Sequence, residues 1–281
     1  MKILVRVHDL GKTNPKELAK KTKEIGFDGV QLVLYKAIEG CDAKAHTIPY
    51  STILDTAKAF KDENLTVGML GAYFNPVHSN KDLVKDNIER FKEYLGYCKD
   101  FNCKYVGSET GSYNDDKWTY NPLNRTDEAL NIDIDTFSKL ADVAKENNAN
   151  IAIEGAYGHC MYTPTQLNRL ISAIDNGHVY VTVGVFNYLD LSCYDTKYQH
   201  QMFDDSIKYF KDKIVIYHLK DFIVDEEAHK LKQVGLGEGI MDLEYIVKKA
   251  KELTPNAYLI FEGCPKDKMQ SSYNYIKSLL E

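Results

Sequence analysis

A chain of 281 residues with 44% hydrophobic and 27% charged residues has the balance of a folded, water-soluble protein, which excludes the disordered, fibrous and membrane classes. A net charge of −6 and no basic stripe exclude nucleic acid as the expected partner, because a surface that tracks phosphates carries concentrated positive charge. The six cysteines, at 41, 98, 103, 160, 193 and 264, form no CxxC pair, and the opening MKILVRVHDLG lacks the apolar core and cleavage pattern of a secretion signal. Free thiols, a cytoplasmic location and no membrane contact are the expectations.

In chain order, KILVRV (2–7) reads as a strand. NPKELAKKTKEIG (14–26) follows as a helix, with Pro15 near its start and Gly26 at its end. GVQLVL (29–34) and LTVGML (65–70) are strands; SNKDLVKDNIERFKEYLGYCKD (79–100) is a helix with Ser79 placed to cap it. After the strand KYVGSE (104–109) comes the longest irregular stretch, GSYNDDKWTYNPLNRTDEALN (111–131), polar and aromatic, expected as a loop over one face. The helix IDIDTFSKLADVAKENN (132–148), the strand NIAIEG (150–155), the helix TPTQLNRLISAIDNG (163–177) and the strand VYVTVGV (179–185) continue the alternation. IVIYHL (214–219) and AYLIFE (257–262) are strands, and MDLEYIVKKAKEL (241–253) and KDKMQSSYNYIKSLL (266–280) are helices.

Eight apolar runs separated by amphipathic segments call for parallel strands with helical crossovers, and a count of eight selects closure. The expected fold is α/β, a single (β/α)8 TIM barrel over residues 1–281, with no linker or composition break. In such a barrel the chemistry gathers at the C-terminal strand ends. Collecting polar residues there gives His8 and Asp9, Asn75 and His78, Glu109, Glu154 and His159, Asn187, then His218, Lys220 and Asp221, and Glu262. One strand end is chemically empty: VYVTVGVFNYLDL (179–191) passes Gly184 without a charged side chain before Asp190.

Glu154, His218 and Glu262 close strands five, seven and eight, so their side chains can converge above the barrel. Two carboxylates in a partly dry site repel each other unless a proton or a cation separates them. A divalent metal held by two carboxylates and one imidazole resolves that conflict. Separate satisfaction by loop amides or lysines is the alternative, and three residues at matching depth weigh against it.

The motifs GFDGVQL (26–32), SETGS (108–112), AIEGAYGHCMYTP (152–164), HLKDF (218–222), GLGEGIMD (235–242) and IFEG (260–263) span nearly the whole chain. Together they resemble the xylose isomerase-like barrel superfamily, and within it the sugar phosphate isomerase and epimerase group. That resemblance implies a metal held by a glutamate after strand five, an aspartate after strand six, a histidine after strand seven and a glutamate after strand eight. Glu154, His218 and Glu262 fill three of these positions, and Gly184 stands where the aspartate belongs. Losing a ligating carboxylate costs at least about 1.4 to 2.7 kcal/mol of metal affinity, taking the loss of an outer partner as the lower bound. The expected cofactor is therefore a divalent ion, Zn, Mn, Co or Mg, bound by Glu154, His218 and Glu262.

The expected function is a metal-dependent isomerase or epimerase of a sugar or sugar phosphate, with Glu154 and Glu262 moving a proton through an enediolate. His8, Glu109, His159 and Lys220 are expected at the substrate. An inosose-type dehydratase begins with the same proton abstraction, and a non-catalytic sugar-binding barrel is the reading that Gly184 favours. The expected partner is a small-molecule sugar, and a homo-oligomer is left open. GLGEG offers amides to a phosphate at a helix start, but a tight entry to the helix is the preferred reading. Trp118, Tyr113 and Tyr120 form either a lid over a sugar face or a small core of their own loop.

Overall fold

A computed structural model describes residues 1–174 and 176–281. Eight parallel strands close on themselves: β1 (Ile3–Arg6), β2 (Gly29–Leu32), β3 (Thr66–Gly71), β4 (Tyr105–Glu109), β5 (Asn150–Glu154), β6 (Val179–Val183), β7 (Ile214–Leu219) and, after the hairpin β8 (Asp221–Asp225) and β9 (Lys230–Val234), the last barrel strand β10 (Tyr258–Phe261). β10 lies between β1 and β7, which closes the barrel. All eight expected strands are present, and each is buried on both faces, which is why they read as near-continuous apolar runs.

Helices α1 (Pro15–Ile25), α2 (Leu34–Ala37), α3 (Tyr50–Asp62), α4 (Lys81–Tyr97), α5 (Asp127–Glu146), α6 (Pro164–Ala173), α7 (Thr196–Phe210), α8 (Leu243–Leu253) and α9 (Met269–Leu280), with several short 3-10 turns, make up the rest of the regular structure among the described residues. The segment expected as one helix over 163–177 ends at Ala173, and Asp175 within it lies outside the described residues. α1 begins and ends as its sequence predicts: the Asn14 side chain accepts from the Glu17 amide, Pro15 sits in the first turn, and Gly26 closes the helix at φ 107°. Ser79 does not cap α4. Asn80 does, its side chain accepting from the Asp82 and Leu83 amides, while the Ser79 hydroxyl donates to Asp115.

Strand side chains alternate between the barrel interior and the helix layer. Inside, Leu4, Met69, Ala152, Ile216 and Ile260 pack as one apolar plug. Gly68 and Gly107 make room for it: a Cβ at Gly68 would lie 2.4 Å from Leu4 Cδ2, and one at Gly107 2.4 Å from Met69 Sδ. Two residues further along the same strands come Arg6, Glu154, His218 and Glu262, so the alternation that builds the plug also aims these four polar groups at the axis above it.

β8 and β9 pair antiparallel directly after β7, with Asp221 opposite Val234. The Asp221 carboxylate accepts from the amides of Phe222, Gly237, Gly239 and Met241. The GLGEG amides therefore bind within the chain, and the segment is a tight entry to α8. All six cysteines are free thiols. Among the described residues no helix is long and apolar enough to cross a membrane.

Candidate active site

Glu154, His218 and Glu262 meet at the C-terminal mouth of the barrel, each offering a ligand atom within 4.8 Å of the others. Their positions follow from register: His218 stands opposite Ile260 on β10, two residues before Glu262, and Glu154 ends β5 opposite Thr182 of β6. All three are buried. His218 Nδ1 lies 2.9 Å from both carboxylate oxygens of Glu154 and 3.2 Å from Glu262 Oε2. Its other nitrogen, Nε2, is 2.7 Å from Gln31 Oε1, and the Gln31 amide donates to the Tyr73 hydroxyl at 2.6 Å.

Glu262 is the most heavily compensated carboxylate. Arg6 Nη1 donates to its Oε1 at 2.6 Å, and Lys220 Nζ lies 2.9 Å from its Oε2. Burial alone would raise its pKa, but Lys220, His218 and Arg6 together bring it down to about 2. Burial likewise disfavours the charged form of His218, yet Glu154 and Glu262 outweigh it and the imidazole is shifted upward. Arg6 is itself held by Asp9, which also accepts from the Gly263 amide.

Glu109, paired in register with Glu154, behaves in the opposite way. Burial and the charges of Glu154 and Glu262 push its carboxyl up to about 8. It lines two adjoining cavities of about 340 and 490 Å³ over the barrel mouth, with Trp118 shared between them. The larger also reaches His159 and Asn187; the smaller reaches Arg6, His8, Lys36 and Tyr73. His8 and His159 are both pulled down to about 3, in each case by burial first and then by nearby cations: Arg6 and Lys36 for His8, Lys220 and Arg125 for His159. Both are thus neutral imidazoles at the cavity wall, and the Nδ1 of each is buried without a hydrogen bond among the described residues.

Of the residues read from the sequence, Glu154, His218, Glu262, Glu109, His8, His159 and Lys220 all reach this mouth. Lys220 does not reach into it freely, because its ammonium is committed to Glu262 and Asn187. Asn75 and His78 stay outside. The Asn75 amide donates to the Ser112 and Asp115 carbonyls, and His78 packs beside Asp115 and Asp116. Asn75, with Asn124, orders the long loop after β4. Trp118 belongs to the cavity, edge-on to His159 at 4.9 Å, whereas Tyr113 packs on the main core. Arg6, Gln31 and Tyr73 complete the site and were not singled out in the sequence. The available signal was a polar residue inside each of two apolar runs, KILVRV and GVQLVL; Arg6 and Gln31 are neighbours in register on β1 and β2.

The model for the xylose isomerase-like TIM barrel matches residues 19–279. The chain belongs to this family. No curated protein matches it, but solved structures of the family's fold do. A D-tagatose 3-epimerase-like protein aligns with a TM-score of 0.76 at 18% identity, covering 100% of this chain and 97% of the other. The IolI protein with a bound zinc atom gives 0.72 at 16% identity, covering 100% and 98%. AsbF of Bacillus anthracis, a probable 3-DHS dehydratase, gives 0.73 at 15% identity, covering 100% and 99%. At these identities the likeness is one of fold.

The donor set fits the divalent metal that the family implies. Gln31 Oε1 accepts from His218 Nε2, so Nδ1, which faces the two carboxylates, is the nitrogen that would give up its proton to a metal. Two carboxylates and one imidazole suit Zn or Mn with further positions open. β6 leads into Gly184, which offers no side-chain ligand, and a Cβ there would lie 2.4 Å from Glu154 Oε1.

Proposed function

We propose that this protein is an isomerase or epimerase of a small polyhydroxylated carbonyl compound, a sugar or sugar phosphate, working with a divalent metal. The observation that carries this reading is the convergence of Glu154, His218 and Glu262 beneath a polar cavity at the barrel mouth. Glu154, His218 and Glu262 would hold the metal. When bound, it supplies polarisation of a carbonyl oxygen and its neighbouring hydroxyl, which acidifies the C–H between them.

The chain's own groups do the rest. Glu154 and Glu262 take the proton from that carbon and return it; the C–H electron pair moves into the C–C bond as the carbonyl oxygen gains charge, and an enediolate results. Arg6 and Lys220 keep Glu262 ionised, so it is ready to accept. Glu109, with its carboxyl near 8, is protonated at neutral pH and can donate to a substrate oxygen. Trp118, His8 and His159 wall the cavity and orient the sugar.

The test is solvent deuterium uptake at carbon across ketose and aldose panels with Mn, Co or Mg present. Exchange with at least one sugar is expected, and none across a broad panel with metal demonstrably bound would overturn the proposal. The fold shared with a probable dehydratase supports a second reading, in which the same abstraction is followed by loss of hydroxide. Product mass separates the two, by one water.

A further inference from the structure

Lys220 follows His218 by two residues, so both side chains point to the same side of the strand end. The Lys220 side chain is only 9% exposed, and its Nζ donates to Asn187 Oδ1 at 2.7 Å and lies 2.9 Å from Glu262 Oε2. Asn187 passes the contact on, its Nδ2 donating to Glu154 Oε1 at 2.8 Å. His218 Nδ1 closes the circuit, 2.9 Å from Glu154 Oε1 and 3.2 Å from Glu262 Oε2. Glu154, Asn187, Lys220, Glu262 and His218 thus form a closed ring of polar contacts.

The ring engages the same atoms that a metal needs. Glu154 Oε1 accepts from Asn187, and Glu262 Oε2 faces Lys220. Both cations stand on Glu262, Lys220 at Oε2 and Arg6, shared with Asp9, at Oε1, while Glu154 is held by Asn187 and His218. A dication added here would stand close to a buried ammonium, and like charges in a poorly solvated site repel strongly. Gly184 belongs to the same arrangement, since a Cβ there would also lie 2.9 Å from Asn187 Nδ2.

We infer that Lys220 is a resident cation of this site, and that its ammonium competes with a divalent metal for Glu262 directly and, through Asn187, holds Glu154 away from it. The metal enters only as the Lys220 side chain swings out toward the cavity, so Lys220 sets the occupancy. This inference rests on the metal reading of the triad given above.

Mn²⁺ and Zn²⁺ titrated calorimetrically into wild type and Lys220→Met provide the test. The methionine keeps most of the apolar stem and removes the charge. Lys220→Met is expected to bind each ion about tenfold tighter or more, on the scale by which outer partners tune a metal site. It should also melt lower than wild type without metal and gain more on metal addition. An affinity equal to or below that of wild type overturns the inference. If Lys220→Met does not fold, wild type alone decides: it should lose its metal on dialysis against chelator-free buffer and keep its melting temperature. One equivalent of metal surviving dialysis against EDTA overturns the inference. None of these readouts uses turnover, so a failure to find any isotope exchange bears on the isomerase reading and leaves this result standing.

Discussion

His218 Nε2 and Gln31 Oε1 meet at 2.7 Å across the barrel, joining β7 to β2 above the apolar plug. The contact fixes which imidazole nitrogen faces the carboxylates. Gln31→Leu should leave a buried N–H without an acceptor, costing about 1 to 3 kcal/mol of stability. It should also weaken Mn²⁺ binding about 10- to 100-fold by freeing the ring. Urea denaturation and calorimetry check the two effects separately.

Glu154→Gln and Glu262→Gln remove the proposed proton carriers while keeping side-chain shape. Each should lower the rate of isotope exchange by about 10²- to 10⁴-fold, the usual contribution of a positioned acid or base. Wild-type rates in both variants would remove these residues from the mechanism.

Gly184→Asp restores a carboxylate where β6 leaves none. The backbone there is extended, at φ −116°, so an aspartate carries no conformational penalty. Glu154 must shift, because its Oε1 lies 2.4 Å from the new Cβ. We expect metal affinity to rise about 10- to 100-fold, with exchange activity rising alongside. A gain in metal binding with no activity on any sugar would favour a barrel that binds without turnover.

Asp133 on α5 is fully buried, and neither of its carboxylate oxygens has a hydrogen-bond partner among the described residues. Burial raises its pKa well above the ordinary value. An acid raised in the folded state contributes stability that is fully present below its unfolded pKa, about 3.9, and is lost as pH rises through the folded pKa. Asp133→Asn should therefore match wild type near pH 3.5 and melt progressively higher than it as pH increases. Parallel melting curves from pH 4 to 8 check this, and a constant difference would contradict it.

The barrel was legible because each of its strands is buried on both faces and so leaves a near-continuous apolar run. α7 was not, because its buried face is Gln199, Met202, Phe203, Ser206 and Phe210, a helical spacing with two polar members. α3 hides for a similar reason, with Thr56 and Ala59 completing the face begun by Ile53. The β8–β9 hairpin follows β7 without a separating turn signal, so nothing in the sequence marks it as a unit of its own. Within the site, Glu154, His218 and Glu262 stood out as charges at the ends of apolar runs. Arg6 and Gln31 sit inside such runs, where only the inward parity of the barrel distinguishes them. The ring through Asn187 and Lys220 depends on how side chains close upon one another, which motif spacing does not encode.

The Asp221 carboxylate, grasping four amides, separates two parts of the molecule that the chain merely concatenates. On one side are Lys220 and the buried Glu154, His218 and Glu262; on the other is the hairpin, whose base is already clamped where Asp221 pairs with Val234. The hairpin beyond Phe222 can therefore be lengthened, shortened or exchanged as an appendage at little cost to the barrel. The hairpin's sequence is thereby free to diverge while the buried polar cluster beneath it stays put.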